Sequence, residues 1–103
     1  MIQTLVKIKL ITRTKSTKDA RNQWNYTETA RDVYARPAAV TRNEYYTAGQ
    51  IGISPDNLFI ISAFDYHDET LLEYNGQKMR IYRTYPRNEN EIEIYCTYAA
   101  GAN

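Results

Sequence analysis

The chain carries little of the equipment on which enzyme chemistry is built. Cys96 is the only cysteine in 103 residues. A single cysteine closes no internal disulfide and supplies no thiolate zinc site, and that usage fits a reducing compartment. Histidine is equally scarce, with His67 alone. The four glycines stand apart at 49, 52, 76 and 101, so no glycine-rich phosphate loop is present. No nucleophile has a base at a recognisable spacing. No apolar run approaches the ~20 residues that span a bilayer. Met1 is followed at once by an alternating pattern, and no secretory signal peptide is expected. These absences argue against an enzyme, a metalloprotein and a membrane span. No cofactor and no metal are expected.

What is present is tyrosine, charge and short alternating segments. Ten tyrosines stand against two phenylalanines. Tyrosine suits half-buried strands and protein interfaces, where one end is apolar and the other wet. The net charge is +1. Residues 1–42 hold nine Lys/Arg and three acids, a balance of +6, whereas residues 43–103 hold four and nine, a balance of −5. Such a chain either mixes its charges on folding or stays dipolar, able to stack head to tail or to face a polyanion on one side. The length fits one domain, residues 1–103, with one modest core.

Ile2, Val6, Ile8 and Leu10 share one parity and Gln3, Lys7, Lys9 and Arg13 the other, with Leu5 and Ile11 as exceptions. That is a half-buried strand of about ten residues. Residues 15–25 (KSTKDARNQWN) are polar, basic and without periodicity, and read as a long loop with one aromatic, Trp24. Residues 26–40 are extended, with Pro37 implying an edge or a bend. Thr41 and Glu44 then form a capping-box pair, which predicts a short helix over about 41–49, released at Gly49 or Gly52. Residues 54–57 form a turn, and residues 58–66 (LFIISAFDY) are the most apolar stretch and the expected central strand. Asn75-Gly76, flanked by strand patterns, predicts a type I′ hairpin. Residues 87–90 make the next turn. In residues 91–98, Ile92, Ile94, Cys96 and Tyr98 face one way and Glu91, Glu93, Tyr95 and Thr97 the other, as in a strand with one wet face. Residues 99–103 read as a frayed tail. The sum is a mainly β protein: a small, twisted, partly closed antiparallel β-barrel of five to six strands with one short inserted α-helix.

Asp65, His67, Asp68 and Glu69 invite a metal assignment, but they read as a solvated turn between two strands. Cys96 lies on the apolar parity of its strand and reads as a small core residue.

The ordered features resemble the head–tail joining (head closure) proteins of tailed bacteriophages. The residues that carry the likeness are Val33-Tyr34-Ala35, then Val40-Thr41-Arg42-Asn43-Glu44 with Ala48, similar to the family's Val-x-Ala followed by Arg-x-Glu on a short helix. They continue with Asp56 leading into an apolar strand, Tyr74-Asn75-Gly76, the strand MRIYR from Met79 to Arg83, and the alternating last strand. The likeness spans nearly the whole chain. The chain departs from the pattern at Arg36 to Ala39 and lacks the basic, glycine-containing start that family members often carry.

The resemblance implies a structural virion protein made in the cytoplasm of a bacterial host. It implies a homo-oligomeric ring beneath the portal or adaptor protein that closes the DNA-filled head, docks the tail or tail-completion protein, and lets DNA through on ejection. Residues 15–25 and 42–56 are the expected interaction elements, as long polar segments between otherwise short connections. Lys15, Lys18 and Arg21 are the candidates for weak, non-specific contact with double-stranded DNA in the channel. Trp24, Tyr45 and Tyr46 are candidate inter-subunit or partner anchors, with Arg42 and Glu44 beside them; Glu44 serves either the helix cap or an ion pair between subunits. Two alternatives stay open: a tail-completion or adaptor subunit of the same connector, and a small nucleic-acid-binding β-barrel. Against the latter, the aromatics do not cluster with Lys/Arg on one strand parity.

Overall fold

A computed structural model describes residues 4–18 and 20–98, the side chains at 15–17, 24 and 26 excepted. Ile2 of the expected first strand and the expected tail over 99–103 lie outside the described residues.

Six strands close into an antiparallel barrel. β1 is Val6–Lys18, β2 Trp24–Ala38, β3 Asn57–Ser62, β4 Leu71–Tyr74, β5 Gln77–Pro86 and β6 Glu91–Thr97. Their order around the barrel is β1-β2-β3-β6-β5-β4, and β4 returns to β1 through Lys9↔Glu73, Leu10↔Leu72 and Ile11↔Leu71. Alternate residues of each strand point inward. Ile8, Leu10, Phe59, Leu72, Met79 and Ile94 are fully buried and fill the interior. Each such side chain contributes about 1.5–3 kcal/mol on burial.

The polar segment over 15–25 is not a loop. β1 pairs with β2 from Val6↔Ala35 to Lys15↔Tyr26, slips at a bulge and resumes at Lys18↔Trp24, so the connection shrinks to residues 19–23. The left-handed Asn22 (φ 65°) turns the chain there. On either side of this stretch Thr12, Arg13, Thr14, Thr27, Glu28 and Thr29 are all exposed, so the ribbon there is wet on both faces and shows no apolar alternation. The β-branched Thr12, Thr14, Thr27 and Thr29 supply strand character to these flanks.

Only three residues of β1 pair with β4, and only Arg36, Pro37 and Ala38 of β2 pair with β3. Beyond Ile11 and Ala30 the β1–β2 ribbon therefore extends past the barrel wall, and the described protein measures 55 × 30 × 26 Å. From Thr12 outward the ribbon adds about 20 Å. Lys78 Nζ on β5 lies 3.1 Å from Glu28 Oε1 and ties the ribbon to the barrel, while Arg13 pairs with Glu28 across the ribbon at 2.6 Å.

The helix α1, Arg42–Gly49, is capped by Thr41, whose Oγ1 accepts the Glu44 N–H at 3.2 Å. Gly52 (φ 77°) then reverses the chain, and the Ile53 N–H bonds back to the Ala48 carbonyl at 2.9 Å. Asn75 (φ 52°) and Gly76 (φ 76°) form the expected type I′ turn.

Two further expectations are corrected. The central strand does not run over 58–66: it leaves the sheet at Ser62, whose hydroxyl accepts the Phe64 N–H at 3.3 Å and starts a 3₁₀ turn over Ala63–Asp65. The wet face of β6 is also covered at its end, where Tyr95 and Thr97 are buried and Tyr98 is exposed. The 41–56 segment lies over them. Thr97 Oγ1 donates to the Ser54 carbonyl at 2.8 Å, and the Tyr98 N–H donates to Asp56 Oδ2 at 2.7 Å.

Candidate interaction surfaces

β2 separates two groups of candidate residues. Lys15, Lys18, Arg21 and Trp24 come together at the distal end of the ribbon, with Lys18 opposite Trp24 in register. Arg42, Tyr45 and Tyr46 sit on α1, beyond the other end of the same 15-residue strand. In sequence this end carries Lys15, Lys18 and Arg21, on two antiparallel strands and the short connection between them. The side chains of Lys15 and Trp24 lie outside the described residues. A basic finger of this kind suits phosphate contact by point charge rather than base readout.

The helix presents a different chemistry. Arg42, Tyr45 and Tyr46 are exposed, Tyr46 to 69%, and Ile51 just after the helix is equally open. Glu44 does not join them. It is buried, and its carboxylate accepts the Tyr82 hydroxyl at 2.7 Å and pairs with Arg83 at 3.3 Å. The carboxylate fastens α1 to the outer face of β5. Beside it, Thr41, Asn43, Arg83, Tyr85, Glu93 and Tyr95 line a shallow groove of about 190 Å³.

Tyrosine supplies the polar handles of this groove. Tyr95 donates to Glu93 at 2.7 Å, and Arg87 pairs with the same carboxylate at 3.5 Å. Burial, and then the neighbouring Glu93 carboxylate, push the Tyr95 hydroxyl up to about 12. Burial and Glu44 raise Tyr82 further still. Both phenols stay protonated as donors and offer no base. Burial likewise pushes the Cys96 thiol up to about 12, which leaves it a core residue without nucleophilic character.

The segment after β3 was read as a solvated turn and is instead held internally. Glu69 is only 4% exposed. Its carboxylate accepts from the Arg31 guanidinium at 2.6 Å and from the His67 N–H at 2.7 Å. Arg31 also donates to the Asp65 carbonyl, and the Tyr66 hydroxyl donates to the Glu69 carbonyl at 2.8 Å. Burial alone would raise the Glu69 carboxyl, but Arg31 and the backbone donors outweigh it and hold the group below the usual carboxylate range. The His67 ring turns back on its own loop, with Nε2 3.2 Å from the Phe64 carbonyl. Among the described residues, no three of His, Cys, Asp and Glu converge to hold a metal ion.

The acidic and basic halves of the chain partly neutralise each other on folding. Arg31–Glu69 and Arg36–Glu91 each set a cation of the first 42 residues against a carboxylate of the remainder, whereas Lys78–Glu28 joins the halves with the charges the other way round. Composition by halves concealed these pairs because it carries no strand order. Arg31, Phe64 and Tyr82 are the positions that sequence reasoning missed. Glu69 stood in the polar run after the apolar strand, but nothing in the sequence paired it with Arg31. No helix among the described residues is long and apolar enough to cross a membrane.

No family model matches the chain, and no curated protein matches it.

Proposed function

We propose that the protein is a structural subunit of a tailed-bacteriophage head–tail connector. It assembles as a homo-oligomeric ring under the portal or adaptor, closes the DNA-filled head and offers the tail its docking surface. The observation that carries this reading is one short capped helix inserted between the second and third strands of a single closed six-stranded barrel. The residues of the resemblance fall on these elements in order. Val33-Tyr34-Ala35 lies in β2, Arg42 to Ala48 on α1, Tyr74-Asn75-Gly76 at the β4–β5 turn and MRIYR within β5.

In this assembly the basic ribbon end meets DNA phosphates, and the exposed tyrosines of α1 meet a neighbouring protein. A passage for DNA needs contacts that are weak and independent of sequence. Lys15, Lys18 and Arg21 on a ribbon provide such contacts, which fade as salt rises.

The test uses purified protein and DNA-filled, tailless phage heads that lack it. Binding that stops DNA leakage and restores tail attachment is expected. Binding to isolated tails instead would move the protein to the tail side of the joint. Binding to neither would overturn the connector reading, and tight low-salt binding to single-stranded nucleic acid would then favour the nucleic-acid module.

A further inference from the structure

Phe64 is the most exposed large apolar side chain among the described residues, at 77%. An isolated apolar residue in water needs no explanation. Here the surrounding backbone is fastened at each step. The Phe64 N–H bonds to Ser62, its carbonyl lies beside His67 Nε2, Arg31 holds the Asp65 carbonyl, and Arg31 and the His67 N–H both hold the Glu69 carboxylate. The turn thus offers an aromatic side chain from a fastened backbone, a form in which little backbone ordering remains to be done on association. Asp65 and Asp68 flank it, and neither is in an ion pair among the described residues.

A complementary surface lies on the barrel wall. Lys7 pairs in register with Tyr34, and Leu5 is two residues back on the same parity. Leu5 and Tyr34 are both well exposed. Lys7 has no ion pair among the described residues, whereas Lys9 stands between Asp32 and Glu73 on the adjacent strands. Lys7 therefore carries the unopposed charge of this wall. Arg31, which braces the turn, shares the inward parity of Val33 and Ala35, while Tyr34 has the outward parity. The two surfaces are separate, so one copy can use both at once.

We propose that the Phe64 turn of one copy docks on the Leu5–Lys7–Tyr34 wall of a second copy, with Asp65 and Asp68 toward Lys7. The contact is heterologous, joining unlike faces, and repeats from copy to copy. It deepens the ring reading above and rests on it, by naming the surfaces through which neighbours meet.

Disulfide trapping in the full chain tests the contact, because Cys96 is buried and does not compete. Chains carrying Ala63→Cys and chains carrying Lys9→Cys are mixed at high concentration and low salt under mild oxidation. The mixed dimer is expected in excess over both like-with-like dimers. Adding Phe64→Ala to the first chain lowers its yield about tenfold, as loss of a central anchor does. Lys7→Glu in the second chain lowers it as well, and Asp65→Lys with Asp68→Lys in the first restores it. Both anchors are exposed, so circular dichroism of each variant should match the parent. Mixed dimers no more abundant than like pairs, or a yield indifferent to Phe64→Ala and Lys7→Glu, would overturn the proposal. The outcomes separate it from the connector reading. Protein that closes heads without these crosslinks retains the ring and loses this interface; crosslinked protein that ignores heads retains the interface and loses the connector.

Discussion

Among the described residues folding lowers the carboxyls of Glu28, Glu69 and Glu91, and of these Glu69 is the buried one. Its folded carboxyl titrates below the ordinary 4.5 because Arg31 and the His67 N–H hold the charged form. A carboxyl lowered by folding adds stability above its unfolded value and loses it as pH falls through the folded one. Thermal unfolding followed by circular dichroism should therefore show a fall in Tm below about pH 4.5, and Glu69→Gln should flatten that fall. At neutral pH, Arg31→Ala is expected to cost about 2 kcal/mol, since it strands a buried carboxylate whose partner is itself partly exposed. At the alkaline end the sign reverses. Tyr82 and Tyr95 are raised above 10.0, so the stability they lend is complete below pH 10 and is lost as the pH climbs past it. Tyr82→Phe should weaken that alkaline loss in the same melts.

At the scale of elements, the legible parts were those with local chemistry of their own. Gly76 holds φ 76° in the β4–β5 turn, a geometry with a penalty for any residue bearing a Cβ. Gly76→Ala should destabilise the barrel by about 1 kcal/mol in urea unfolding, with an unchanged m-value. Thr41→Ala should cost a similar amount by removing the cap on α1. Both elements stood in the sequence because a dipeptide turn and a capping residue act within four positions.

The ribbon was legible only in part: residues 26–40 read as extended, with Thr27 and Thr29 favouring strand, but a segment wet on both faces leaves no alternation, and residues 15–25 read as a loop. Glu44 was half legible. Its place at the third helical position is that of a capping-box partner, but its carboxylate is taken by Tyr82 and Arg83, which stand 38 and 39 positions away. Phe64 fell inside the expected central strand over 58–66 for the same reason of distance: nothing near it announces that the strand ends at Ser62.

On the scale of the whole molecule, the ribbon and the barrel separate in role. The interior is closed by strand pairing in which the outer ribbon takes no part. Replacing residues 13–28 by a two-residue Asn-Gly turn should therefore leave a folded barrel, while DNA retention by filled heads is lost. The charge distribution belongs to this scale as well. Among the described residues, Arg31–Glu69 and Arg36–Glu91 set cations of the basic part of the chain against carboxylates of the acidic part, so the two charge blocks of the sequence are not two separate faces of the folded molecule.

The connector assignment is tested most directly by electron-microscopic reconstruction of filled, tailless heads after saturation with the protein. The account predicts a closed ring of barrel-sized subunits, each about 30 Å across its body, stacked beneath the portal around the DNA path. Saturated heads whose portal vertex is unchanged would contradict it.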